Sequence, residues 1–194
     1  MIAVLSIDHT GKPGRLGDRG AEAGHVTEVD FTSRYAWTAE RALRKAGVKV
    51  MVISSGDYPS RWALADAIGA SCYVSTHMNA GGGDRGEVYF DYRTTEKKGR
   101  ELSRLIAKRL DHRVPWPVQV KVADESTRAY SCIGGLGCVG IVYEPAFIDS
   151  PRGLLLDHCR SMGRGLAEGV IDWAWTQSAP STPCGAKKSR RSGS

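Results

Sequence analysis

Ser71-Cys72-Tyr73-Val74-Ser75-Thr76-His77-Met78-Asn79-Ala80-Gly81-Gly82-Gly83 is the stretch on which the reading of this chain turns. Its first half has the β-branched and aromatic make-up of a short buried strand. The apolar run then stops, and His77 and Asn79 stand just ahead of three glycines. In open α/β sheets the ligand crevice lies at the carboxyl ends of the strands, so an imidazole delivered there is well placed for chemistry. A single histidine in such a position is ordinarily a loop cap and nothing more. Its weight here comes from two other strands that end in the same way.

Working back towards the N-terminus, Ser60 to about Ile68 predicts a short helix carrying Arg61 and Trp62, preceded by turn chemistry at Ser54–Pro59. Val48–Ile53 predicts a strand. Thr27 to about Ala46 predicts a helix, with Phe31, Tyr35, Thr38, Ala39, Ala42 and Leu43 at three- and four-residue steps, Thr27 as N-cap and Gly47 as terminator. The loop Lys12–Gly20 is glycine-rich and long enough to suggest function. Ile2–Ile7 is a near-continuous apolar strand that runs directly into Asp8-His9-Thr10-Gly11.

Towards the C-terminus, Glu87–Tyr92 predicts a strand, about Thr95 to Leu110 a helix, and Val118–Val122 an alternating edge strand. Asp124–Leu136 has no readable period. Within it Gly135-x-Gly137-x-x-Gly140 matches a dinucleotide fingerprint by letter but precedes a strand, so the motif is rejected. Val139–Tyr143 is a buried strand ending in Glu144-Pro145-Ala146-Phe147, and about Pro151 to Trp175 predicts a last helix. The alternation of strands and helices implies an α/β fold: a single three-layer domain with a mostly parallel, twisted sheet of about six strands and helices on both faces. The domain is expected over residues 1–177, with a basic, disordered tail over 178–194.

Composition narrows the possibilities. The chain has 194 residues, 41% of them hydrophobic, enough for one filled core and few for two. No run is long enough to span a bilayer, and the first residues lack the basic front of a secretory signal, so synthesis in the cytoplasm is expected. The net charge is +6, but Lys187, Lys188, Arg190 and Arg191 supply four of those charges, leaving the folded part only mildly basic. That argues against a dedicated nucleic-acid binder. It leaves the tail as a candidate for attraction to an anionic wall polymer or membrane surface. Five widely spaced cysteines without a C-x-x-C pair exclude a disulfide framework and a thiolate zinc site.

Three strands therefore end in His9, His77 and Glu144, and the helix returning over the same rim begins near Glu28. Two imidazoles and a carboxylate suit Zn2+, which in catalytic sites takes three protein ligands and water. A second carboxylate outside the coordination sphere can take the proton from that water. His25 and Glu22 compete as alternative donors in the same loop.

These residues resemble the zinc-dependent N-acetylmuramoyl-L-alanine amidases, the amidase-3 family of cell-wall hydrolases. The family writes its second histidine motif Ser-Ile-His-x-Asn-Ala, and this chain has Ser75-Thr76-His77-Met78-Asn79-Ala80. Arg61, sixteen residues before that histidine, and the interval from Glu28 to Gly47 keep the family's spacing. Val142-Tyr143-Glu144-Pro145-Ala146-Phe147 resembles its Val-Leu-Val-Glu-x-Gly-Phe strand. The chain departs from the family at Asp8-His9-Thr10-Gly11, where Gly-His-Gly-Gly is usual, at Ser54-Ser55, where an arginine is usual, and at Pro145.

The resemblance implies His9, Glu28 and His77 as zinc ligands, Glu144 as catalytic base and then acid, and Asn79 and Arg61 as substrate contacts. It implies a monomeric enzyme that hydrolyses the bond between N-acetylmuramic acid and L-alanine of peptidoglycan. The chain would be made without a signal peptide and act on the wall after release, as a phage endolysin does. The alternatives are a zinc carboxypeptidase or deacylase acting on another amide, and a catalytically inactive wall-binding module.

Overall fold

A computed structural model of the protein describes residues 1–10, 17–93, 96–154 and 156–178. The expected tail, apart from Ser178, and part of the glycine-rich loop lie outside the described residues. In chain order the elements are β1 (Ile2–Ile7), a small pair β2 (Glu22–Ala23) and β3 (Val26–Thr27), α1 (Glu28–Lys45), β4 (Lys49–Ile53), α2 (Tyr58–Ala67), β5 (Cys72–Thr76), β6 (Gly86–Asp91), α3 (Glu96–Asp111), β7 (Val118–Ala123), α4 (Tyr130–Ile133), β8 (Val139–Glu144) and α5 (His158–Ser178).

Six strands form one sheet in the order β4-β1-β5-β8-β6-β7, and every neighbouring pair is parallel except β6 with β8. Strand parity divides the core. Ala3, Leu5, Ile7, Cys72, Val74, Val139, Ile141 and Tyr143 face a thick layer built from α1, α3 and α5. Val4, Tyr73 and Val142 face a thinner layer with Ala65 of α2 and Cys132 and Ile133 of α4. Apolar side chains on both faces are why these strands read as continuous hydrophobic runs.

The chain leaves β1 through α1 to reach β4, and then returns through α2 on the opposite face to β5. This places a topological switch point between β1 and β5, where open sheets form their crevice. The register sharpens the placement. Ile7 pairs with Thr76, and Thr76 with Tyr143, so the residues that follow emerge at one level: Asp8-His9, His77 and Glu144.

α1 starts where its cap was expected. The Asp30 carboxylate accepts hydrogen bonds from the Thr27 amide (2.9 Å) and hydroxyl (2.7 Å), fixing the first turn, and Gly47 at φ 80° ends the helix. α2 starts earlier than predicted, at Tyr58. The Asp57 carboxylate accepts from the Ser60 amide at 3.0 Å, and a proline in the first turn costs no helical hydrogen bond. α5 starts later, at His158, because the segment after Pro151 forms a turn with Gly153 at φ 71°. The unreadable stretch before β8 holds successive turns and the single-turn α4, which Trp62 Nε1 fastens to α2 by donating to the Cys132 carbonyl at 2.9 Å.

The thick layer depends on glycines in α5. A Cβ at Gly165 would stand 2.8 Å from the Leu110 Cα, and one at Gly169 would stand 2.6 Å from the Ile106 nitrogen, so α5 lies directly on the α3 backbone. Arg109 adds a two-pronged ion pair with Asp172, at 2.6 and 3.0 Å. That pair is partly exposed and adds at most about 1 kcal/mol.

Candidate metal-binding and catalytic site

Three of the residues singled out from the sequence meet at the rim. His9, Glu28 and His77 are buried, and one donor atom from each lies within 4.8 Å of the others. Glu28 is the first residue of α1, and its carboxylate is firmly held. Oε1 accepts from the Met78 amide at 3.0 Å and Oε2 from the Ala21 amide at 3.0 Å. Gly20, at φ 75°, has no side chain because a Cβ there would run into this carboxylate. His77 Nδ1 lies 2.9 Å from Glu28 Oε1, and His9 Nε2 lies 3.5 Å from Glu28 Oε2. The two rings stand edge to face with centroids 5.4 Å apart.

The far nitrogen of each imidazole meets a second carboxylate. His9 Nδ1 is 3.1 Å from Asp18 Oδ1, and His77 Nε2 is 2.7 Å from Asp8 Oδ2. Carboxylates in this position fix the ring orientation and tautomer of a metal-binding histidine. The backbone helps at His9, which adopts φ 62°, a left-handed conformation costing about 1–2 kcal/mol for a side-chain-bearing residue. Asp8 is thereby buried beneath the sheet edge while the next residue reaches the cleft. Burial disfavours charge on His77, but Asp8 and Glu28 outweigh it and raise its pKa well above the usual value. The site therefore favours positive charge between its carboxylates. Two neutral nitrogens and a carboxylate oxygen, with second partners in place, fit a borderline divalent ion such as Zn2+.

Arg61, expected as a substrate contact, does not line the cleft. It is 1% exposed, and its guanidinium lies beneath the site. It donates to Asp8 Oδ1 (2.6 Å), Ser6 Oγ (2.7 Å) and the carbonyls of Gly56 (2.9 Å), Ile7 (2.9 Å) and Thr10 (2.7 Å). These bonds clamp the end of β1. Burial opposes the charge on Asp8, but His77 and Arg61 override it and hold the carboxyl down to about 2.

A cleft of about 520 Å3 opens over the rim, lined by His9, Glu28, His77, Asn79, Arg128 and Glu144 among others. Burial pushes the Glu144 carboxyl up to about 7, with Glu87 and Glu28 adding to the effect and His77 opposing it. Asn79 lines the cleft, but its amide is occupied. Nδ2 donates to Glu87 Oε2 at 2.9 Å, and Oδ1 accepts from the Ala80 amide at 2.8 Å. His25 and Glu22, the competing donors, are exposed on the β2–β3 hairpin and do not line the cleft.

Sequence reasoning did not assign roles to Asp8, Asp18, Cys132 or Arg128. Asp8 carried a signal, since Ser6 and Asp8 interrupt an apolar strand at alternate positions. Cys132 lines the cleft 3.5 Å from His77 Nε2, brought there by α4.

Solved structures share the fold. Cwp6 from Clostridium difficile superposes with a TM-score of 0.76 at 21% identity, over 88% of this chain but only 29% of its own length. An N-acetylmuramoyl-L-alanine amidase from Clostridium difficile 630 superposes with a TM-score of 0.77 at 18% identity, over 91% of this chain and 97% of that one. The amidase AmiC2 of Nostoc punctiforme does so with a TM-score of 0.74 at 18% identity, over 90% and 97%. No curated protein sequence matches the chain. The family model described as N-acetylmuramoyl-L-alanine amidase matches residues 4–169, a span that includes His9, Glu28, His77 and Glu144. The chain belongs to the N-acetylmuramoyl-L-alanine amidase family.

Proposed function

We propose that the protein is a zinc-dependent peptidoglycan amidase that cleaves the bond between N-acetylmuramic acid and L-alanine. The observation that carries this reading is the convergence of His9, Glu28 and His77 beside a half-buried Glu144, in a cleft of a chain belonging to the amidase family. His9, Glu28 and His77 would hold the ion. When bound, it supplies polarisation of the scissile carbonyl and acidification of water.

The remaining roles belong to the chain's own side chains. Glu28 is fixed by two backbone amides, and each imidazole by a carboxylate behind it, so the donors need little reorganisation. Glu144 accepts a proton from water as its oxygen adds to the lactyl carbonyl carbon. It then delivers that proton to the alanine nitrogen as the C–N bond breaks. A carboxyl raised to about 7 suits both transfers near neutral pH. The products are the lactyl carboxylate of the glycan and a stem peptide with a free amino terminus.

Mass spectrometry of material released from purified peptidoglycan, with and without a chelator, tests the reading. The expected result is stem peptides beginning at L-alanine, lost with chelator and restored by Zn2+. Shortened peptides still attached to sugar would instead identify a carboxypeptidase. Release that survives exhaustive chelation would remove the metal from the mechanism. We also assign the basic C-terminal segment attraction to anionic wall polymer, and truncation after Ser178 without change in lysis at low salt would remove that role.

A further inference from the structure

The cleft is lined by acids and imidazoles: Asp18, Glu28 and Glu144 with His9 and His77. Among the described residues lining it, Arg128 is the one lysine or arginine. Its guanidinium has no carboxylate partner among the described residues, unlike Arg61 below it, but it lies near enough to Glu144 to favour that group's charged form. The backbone that carries it is pinned. The Arg128 carbonyl accepts from the Ser131 amide (3.2 Å) and hydroxyl (2.8 Å). Thr127 Oγ1 donates to the Asp124 carbonyl at 2.7 Å, and Ala129 is buried against the thin layer. The loop therefore presents a cation to the cleft from a fixed base.

This inference rests on the amidase reading. Away from the proposed ion, Arg128 is the basic side chain that the lining offers an anionic group, and a guanidinium fork pairs best with a planar carboxylate. The glycan side of an amide-linked substrate carries no carboxylate, because the lactyl group is consumed in the amide. The peptide side does. Its second residue is a D-glutamate joined through its side chain, which leaves an α-carboxyl that is free in some walls and amidated in others. We propose that Arg128 recognises that free α-carboxylate and makes the enzyme selective for stem peptides that carry it over those in which it is amidated.

The test compares two synthetic muropeptides, alike except for a free or an amidated α-carboxyl on the second residue, with the zinc-loaded full chain. The wild type is expected to favour the free acid in kcat/KM by about tenfold or more, chiefly through KM. Arg128→Gln should abolish the preference, so that the ratio of kcat/KM for the free acid to that for the amide falls to about one whatever the common rate. Arg128→Lys should restore part of the preference. Zinc stoichiometry and unfolding midpoint should be the same in all three proteins. Equal rates on both substrates for the wild type, or a preference that survives in Arg128→Gln, would overturn the assignment. If the wild type releases L-alanine-terminated peptide from neither substrate nor from whole peptidoglycan, the amidase reading fails and the inference fails with it.

Discussion

Asp8 Oδ2 lies 2.7 Å from His77 Nε2, and the same carboxylate binds the guanidinium of Arg61 through Oδ1 at 2.6 Å. One buried acid thus neutralises a buried cation and orients an imidazole of the proposed metal triad. Asp18 holds the other imidazole, 3.1 Å from His9 Nδ1, with its side chain 22% exposed where that of Asp8 is fully buried. The two aspartates should therefore behave differently when their charge is removed. Asp8→Asn leaves Arg61 without a counter-ion in a site it cannot leave, which should cost about 3–5 kcal/mol of stability. Zinc affinity should fall roughly 10–100-fold in Asp8→Asn and in Asp18→Asn alike, but Asp18→Asn, at a partly exposed site, should lose less stability than Asp8→Asn. Zinc titration calorimetry and urea unfolding read the two effects separately. Wild-type zinc affinity in Asp8→Asn would show that the imidazole needs no partner.

Arg61 extends the argument, since a lysine in its place keeps the charge and loses the fork. Five hydrogen bonds leave this guanidinium, and an ammonium on a flexible stem cannot reproduce them. Arg61→Lys should unfold at lower urea, by roughly 2–4 kcal/mol, with KM for muropeptide unchanged in the fraction that remains folded. A raised KM with unaltered stability would restore Arg61 to the substrate side.

Glu144 links function to stability through pH. Its folded pKa, about 7, stands above the ordinary 4.5, so between these values the folded chain holds more proton than the unfolded one. Stability from this group is complete below 4.5 and declines as pH rises through 7, a loss of about 3 kcal/mol by pH 8. Glu144→Gln carries no such cost. In the presence of chelator it should match the wild type at about pH 4 and exceed it at about pH 8 by up to roughly 3 kcal/mol. Its amidase activity with zinc should fall by about 10²–10⁴-fold. Equal stability of the two proteins at both pH values would mean that the wild-type carboxyl is not raised.

Much of this arrangement is legible before any coordinates, and the reason is local. Ile7, Thr76 and Tyr143 end apolar runs, and in a parallel sheet residues that end such runs share a rim, so His9, His77 and Glu144 could be grouped from the sequence alone. Thr27 and Gly47 bracket α1 by cap chemistry, which places Glu28 in its first turn. What escaped depends on partners distant in the chain. Arg61, a substrate contact by resemblance, meets Asp8 only because the fold brings β1 against it from 53 residues away. Strand direction is equally silent in sequence, since the side chains of β6 alternate in the same way whether it runs with β8 or, as it does, against it. The segment carrying Arg128 and Cys132 has no period to read, because turns and a single helical turn hold it.

The glycines of α5 set how closely the thick layer packs. Alanine at Gly169 gains about 1 kcal/mol of helix propensity over glycine. Against that gain, its Cβ would stand 2.6 Å from the Ile106 nitrogen, and the obstacle is backbone of α3, which cannot turn aside as a side chain can. Overpacking of this kind costs about 1–3 kcal/mol, and with Gly165 in the same close contact with the α3 backbone one turn away the upper part of the range applies. Gly169→Ala should therefore unfold at lower urea by roughly 1–2 kcal/mol, its propensity gain notwithstanding. Zinc affinity should be unchanged, because no residue of α5 lines the cleft. A Gly169→Ala protein more stable than the wild type would mean that α3 and α5 stand further apart in solution, and that the close approach is not what holds this layer together.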